Sequence, residues 1–179
     1  MQTKSIAISV RDMVYTALFT AVLCALAPFS ISIGPIPLSF ATLAIYFAAG
    51  TLDLKYAAVS VILYIALGAF GLPVFSRFEG GFHKIAGPTG GFIIGYIPLA
   101  LAVGLSLRLF AQRRLFYILG MVIGTVLLYT CGVAWYMLQL KATLAASLLV
   151  CVIPFLAGDA AKIAVAAIAA PQLRQAIRD

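Results

Sequence analysis

The chain has 179 residues, of which 64% are hydrophobic and only 9% charged, with a net charge of +7. Soluble domains carry about 25% charged residues, so this composition excludes a soluble globular protein and indicates an integral membrane protein. At about twenty residues per helical span there is room for six spans over 1–179 as one membrane domain, and no Walker A pattern (GxxxxGK[ST]) occurs, so any ATP-driven work falls to another chain.

The first ten residues are polar at their start and lack the small-residue cleavage site of a signal peptide. Span 1 is expected over residues 12–28. Within it Ala17, Ala21 and Ala25 recur every four residues as a smooth stripe. Such stripes let another helix approach closely, either inside the bundle or as a docking face for a partner subunit. Residues 29–38 carry Ser30, Ser32, Gly34, Pro35 and Pro37 and are expected to form a loop. Span 2 follows over 39–50, then a turn over 51–55, and span 3 over 56–71.

Residues 74–91 form the longest polar stretch, with Arg77, Glu79, His83, Lys84 and several glycines. Its end, Gly87-Pro88-Thr89-Gly90-Gly91, permits tight turns and close approach of backbone to a ligand, or is a plain helix-entry turn. Span 4 is expected over 92–110 and span 5 over 115–137, where Trp135 and Tyr136 suit an interfacial aromatic belt. The aromatics nearest the loops, Phe92, Tyr96 and Trp135, are candidates to line an apolar slot. Cys24, Cys131 and Cys151 lie in apolar stretches without ligand spacing, and the single His83 makes no metal site alone.

The last segment is decided by length. One helix from Thr143 to Arg174 would run about 46 Å at 1.5 Å per residue, against a hydrocarbon core of about 30 Å. Pro154 favours a first-turn position, so a short helix over 142–153 and a separate span 6 over 155–174 are expected.

Span 6 carries Gly158-Asp159-Ala160-Ala161-Lys162 in otherwise apolar surroundings. Residues at i and i+3 share a helix face, so Asp159 and Lys162 point the same way. Ionisable groups within a span are costly and normally face a bundle interior, a partner or a substrate path. The pair can be an internal ion pair or a ligand site, with Lys162 meeting a ligand carboxylate and Asp159 accepting from ligand N–H groups.

With six spans, one side of the membrane receives eight basic residues (Lys4, Arg11, Lys55, Arg108, Arg113, Arg114, Arg174, Arg178) and the other three (Arg77, Lys84, Lys141). The richer side is cytoplasmic. Both termini are then inside, and the Asp159/Lys162 pair and the loops over 29–38 and 74–91 face out.

Taken together, the chain resembles the biotin-binding S component of energy-coupling-factor (ECF) transporters, the BioY family. The resemblance rests on Gly68-Ala69-Phe70-Gly71-Leu72-Pro73-Val74-Phe75, Gly80-Gly81, Gly87-Pro88-Thr89-Gly90-Gly91-Phe92, Ile94-Gly95-Tyr96 and Pro154-Phe155-Leu156-Ala157-Gly158-Asp159-Ala160-Ala161-Lys162, in order and spacing over nearly the whole length. One departure is Ala157, where the family usually has proline. The resemblance implies an all-α, six-helix S-component fold in a bacterial-type plasma membrane, capturing biotin from outside and delivering it to the cytoplasm. It implies no cofactor and no bound metal. It also implies a coupling module of one transmembrane subunit and two ATPases, docking on the Ala17/Ala21/Ala25 stripe, with the S component toppling to release its vitamin. The family's last-helix acid and base carry over to Asp159 and Lys162, and its glycine motif to Gly87–Gly91. Arg77, Gly87, Thr89, Gly90, Gly91 and Tyr96 complete the expected substrate site. An intramembrane enzyme and a proton-linked carrier are the alternatives. The first lacks a nucleophile beside a base, and the second calls for relay groups across the bilayer.

Overall fold

The computed structural model describes residues 9–32, 36–110 and 114–178. Lys4 and Arg113 of the basic-residue count, and Gly34 and Pro35 of the expected loop, lie outside the described residues. Among the described residues eight α-helices form a bundle: α1 Val10–Leu26, α2 Ala41–Thr51, α3 Leu54–Ala69, α4 Phe82–Ala86, α5 Gly90–Leu109, α6 Arg114–Leu140, α7 Leu144–Cys151 and α8 Leu156–Arg178. Three runs, 90–109, 114–140 and 144–177, are long and apolar enough to cross a membrane, while α2 and α3 are shorter apolar helices. At 11 residues, α2 spans about 16 Å, little more than half of a hydrocarbon core of about 30 Å.

On both flanks of the expected loop over 29–38 the described residues form short strands instead. Strands β1 (Ser30–Ser32) and β2 (Pro37–Ser39) pair antiparallel, with Ser30 opposite Ser39. Two side-chain contacts tie this pairing down: the Ser39 hydroxyl donates to the Ala27 carbonyl at 2.7 Å and accepts from the Ala41 amide at 3.0 Å. The end of α1 is thereby stitched to the start of α2. Serine and proline read as loop formers because their local turn chemistry is all a sequence shows; a pairing partner is a tertiary fact.

Helix packing follows the small residues. Ala44, Ala48 and Ala49 on α2 and Ala166 and Ala170 on α8 are fully enclosed, because small side chains let the two backbones approach. On the long antiparallel pair α5 and α6, a Cβ at Gly124 would lie 3.0 Å from the Leu99 carbonyl oxygen. One at Gly91 would overlap Trp135 and sit 2.6 Å from the Cys131 carbonyl oxygen. Glycine is required at both. On α1 the buried face is Thr16, Phe19, Thr20 and Leu23; Ala17, Ala21 and Ala25 lie on the opposite, exposed face.

The break before the last helix falls at Val152 (φ −127°, ψ −57°), followed by a 3-10 turn, Ile153–Phe155, that contains Pro154. Proline's fixed φ suits the first turn of a helix and its missing N–H cannot continue the preceding one, so α7 and α8 separate there.

Candidate functional site

The first turns of α2 and α8 lie side by side, bringing Thr42 next to Asp159 and Lys162, which are 4% and 7% exposed. The Lys162 ammonium donates to Asp159 Oδ1 at 2.9 Å, to the Ser39 carbonyl at 2.7 Å and to Thr42 Oγ1 at 3.0 Å. An ammonium has three hydrogens, and these three acceptors use them all. Asp159 Oδ1 also accepts from the Thr42 hydroxyl at 3.4 Å, and Oδ2 from the Tyr129 hydroxyl at 2.6 Å. A buried ion pair is stable only when most of its remaining hydrogen-bonding positions are filled; Thr42, Ser39 and Tyr129 do this here, and of the carboxylate's roughly four acceptor positions one on Asp159 Oδ2 is left for a ligand donor. Asp159 also lies in the first turn of α8.

This network floors a cavity of about 810 Å3, mouth included, within the range of about 300–1,000 Å3 for small-molecule sites. Its walls are apolar and aromatic: Tyr64, Phe75, Phe92, Tyr96, Leu128 and Phe155. Tyr64 packs edge-on against Phe75, with ring centroids 5.7 Å apart, which fixes two of those walls. At the open side, exposed Arg77 and half-buried Lys84 contribute positive charge. Arg77 and Phe78 hold left-handed backbone (φ 66° and 57°), uncommon for residues with a Cβ, and the Arg77 amide donates to the Pro28 carbonyl at 2.9 Å. Lys84 pairs with Glu79. Burial first and the Arg77 charge second push the Lys84 ammonium below its usual range; the Glu79 carboxylate pulls the other way. Floor, walls and rim thus form a gradient from hydrogen-bond acceptors through apolar surface to cations. Among the described residues no group of three or more His, Cys, Asp or Glu side chains is placed to hold a metal ion.

Of the residues singled out in the sequence, Asp159, Lys162, Arg77, Thr89 and Tyr96 converge on this cavity. Gly87, Gly90 and Gly91 do not line it; they stand behind its wall. The Gly87 carbonyl accepts from the Trp135 indole N–H at 2.9 Å, and Gly90 and Gly91 open α5 against α6. Trp135 is therefore a clamp on the glycine turn and not part of the slot, whereas Phe92 and Tyr96 do line it. Sequence reasoning missed Ser39, Thr42 and Tyr64: nothing local to a serine or a threonine announces a contact more than a hundred residues away, and a mid-helix tyrosine reads as ordinary core until Phe75 and Tyr96 are seen beside it.

Comparison with known proteins gives one consistent result. The family model described as the BioY family matches residues 1–179. The chain is 32% identical over 171 residues to a biotin transporter BioY of Thermotoga maritima, covering 92% of this chain and 96% of that protein. It is 34% identical over 171 residues to a biotin transporter BioY of Rhizobium etli, covering 89% and 91%. Among solved structures, it superposes on the S-component for biotin from an ECF-type ABC transporter with a TM-score of 0.87 at 27% identity, covering 94% of this chain and 95% of the other.

Proposed function

Since the chain belongs to the BioY family, we propose that it is the biotin-binding S component of an ECF-type uptake transporter, acting as a transport subunit and not as an enzyme. The observation that carries this reading is the cavity's gradient. Biotin has a ureido ring with two N–H donors, an apolar thiophane ring and an anionic valerate tail. The acceptor-rich floor around Asp159 suits the ureido donors, and the aromatic walls suit the thiophane.

Two assignments compete for the tail. Lys162 is one, but its three hydrogens are already given to Ser39, Thr42 and Asp159. Arg77 at the mouth is the other, and its planar fork pairs a carboxylate bidentately. The ureido-down, carboxylate-out pose follows, with Arg77 meeting the tail and Lys162 holding Asp159 in place. Thr89 and Tyr96 complete the wall, and the Gly87, Gly90 and Gly91 turn shapes it from behind.

Residues 1–179 act as one six-span membrane domain with both termini inside. On this reading it takes biotin from outside and hands it over to an ATP-driven module of one transmembrane subunit and two ATPases. The module docks on Ala17, Ala21 and Ala25. Titration of the purified protein with biotin and with a panel of other vitamins tests the assignment: biotin is expected to bind tightest, and a different vitamin binding tighter overturns it.

A further inference from the structure

A second cavity opens at the opposite end of the bundle. Along α8, Arg174 lies 12 residues beyond Lys162, or about 18 Å at 1.5 Å per residue, so the two cavities are stacked along one helix and separated by the alanine-packed core. The second cavity encloses about 1020 Å3, mouth included, between the end of α2, the start of α6 and the last turns of α8. Its lining is rich in donors: Arg114, Arg174, Gln172 and Gln175.

Arg174 is a charged side chain that is only 9% exposed. It donates to the Gly50 carbonyl at 3.4 Å and stands 3.6 Å from Asp53 Oδ1, so its guanidinium is held at the wall of this cavity. Arg114 is exposed and stands at the start of the described part of α6, on the same wall. Apolar surface continues from the cavity. Ile168, on its lining, is 56% exposed, and Val165, one turn nearer the middle of the molecule, is 51% exposed. The two share a helix face. A donor-rich hollow at a helix end, joined to an exposed apolar strip on a membrane-embedded helix, has the chemistry of a phosphate-bearing head with acyl chains below it. Basic pockets between membrane helices hold anionic headgroups in this way.

We propose that this cavity is a binding site for the phosphodiester headgroup of an anionic glycerophospholipid, with Arg114 and Arg174 on the phosphate, Gln172 and Gln175 on the head, and the chains along Val165 and Ile168. The site is separate from the substrate cavity and carries no transport chemistry.

The test is native mass spectrometry of the purified protein equilibrated with equal amounts of phosphatidylglycerol and phosphatidylcholine. Phosphatidylglycerol adducts are expected to dominate and to fall about fivefold in Arg114→Gln and again in Gln175→Glu, since each removes or opposes one charge near the headgroup. Arg108→Gln, exposed in the last turn of α5 and off the lining, is expected to retain them. Arg114 and Gln175 are both exposed, so wild-type gel-filtration behaviour is expected; if Arg114→Gln misfolds, Gln175→Glu decides alone. Equal retention of the two lipids overturns the proposal, and so does an Arg108→Gln effect as large as the others, which would mark a general surface-charge effect. Displacement of phosphatidylglycerol by millimolar inorganic phosphate also overturns it, by reassigning the site to a free anion.

Discussion

At the floor of the aromatic-walled cavity, Lys162 and Asp159 are buried and each is held by protein partners. Removing one charge leaves the other buried and uncompensated, at a cost of about 3–5 kcal/mol. Lys162→Met is therefore expected to lower the thermal unfolding midpoint sharply. The double variant Asp159→Leu, Lys162→Met should recover most of that loss, because a buried pair replaced by apolar groups is often neutral, while biotin binding stays abolished. Recovery of stability together with binding would remove the pair from the site. Arg77 makes a separate prediction. A charge-assisted bond is worth about 1.5–3 kcal/mol, so Arg77→Ala should weaken biotin by about 10- to 150-fold. It should leave the neutral biotin carboxamide nearly unaffected in the same titration; an equal loss for both ligands sinks the tail assignment.

Among the elements, the α5–α6 pair holds one wall in place by glycine contact. At Gly91 even a Cβ has no room beside Trp135 and the Cys131 carbonyl, and overpacking a tight interface costs about 1–3 kcal/mol. Gly91→Val should lower thermal stability and biotin affinity together, since Thr89, Phe92 and Tyr96 ride on the displaced end of α5. Unchanged affinity in calorimetry would mean that the wall is positioned by something other than this contact. The same reasoning explains why Gly90 and Gly91 do not touch the cavity: they let two backbones meet, and the lining is left to Thr89 and Phe92 on either side.

For the molecule as a whole, the proposed orientation and docking face make two predictions. In a background with Cys24, Cys131 and Cys151 replaced, an impermeant maleimide added outside intact cells should label cysteine introduced by Lys84→Cys and Lys141→Cys. It should spare cysteine introduced by Lys55→Cys, as the basic-residue bias requires; the reverse pattern inverts the topology. On α1, Ala21 is exposed and the neighbouring face is buried against the bundle. Ala21→Trp should keep biotin affinity unchanged and abolish copurification with the coupling module and uptake. Retained uptake would place the module elsewhere.

Composition alone determined the membrane class, because 9% charge cannot cover a soluble surface. Pro154 determined the break between α7 and α8, and the i, i+3 spacing put Asp159 and Lys162 on one face, since both are consequences of local backbone geometry. The family motifs, read in order, led to biotin. Only the tertiary structure decided that residues 30–32 pair with 37–39, that Ser39 and Thr42 take two of the ammonium's hydrogens, and that Gly87, Gly90 and Gly91 stand behind the wall. Those facts depend on which surfaces meet across long stretches of chain, and a contact between residues 39 and 162 has no local signature for a sequence to carry.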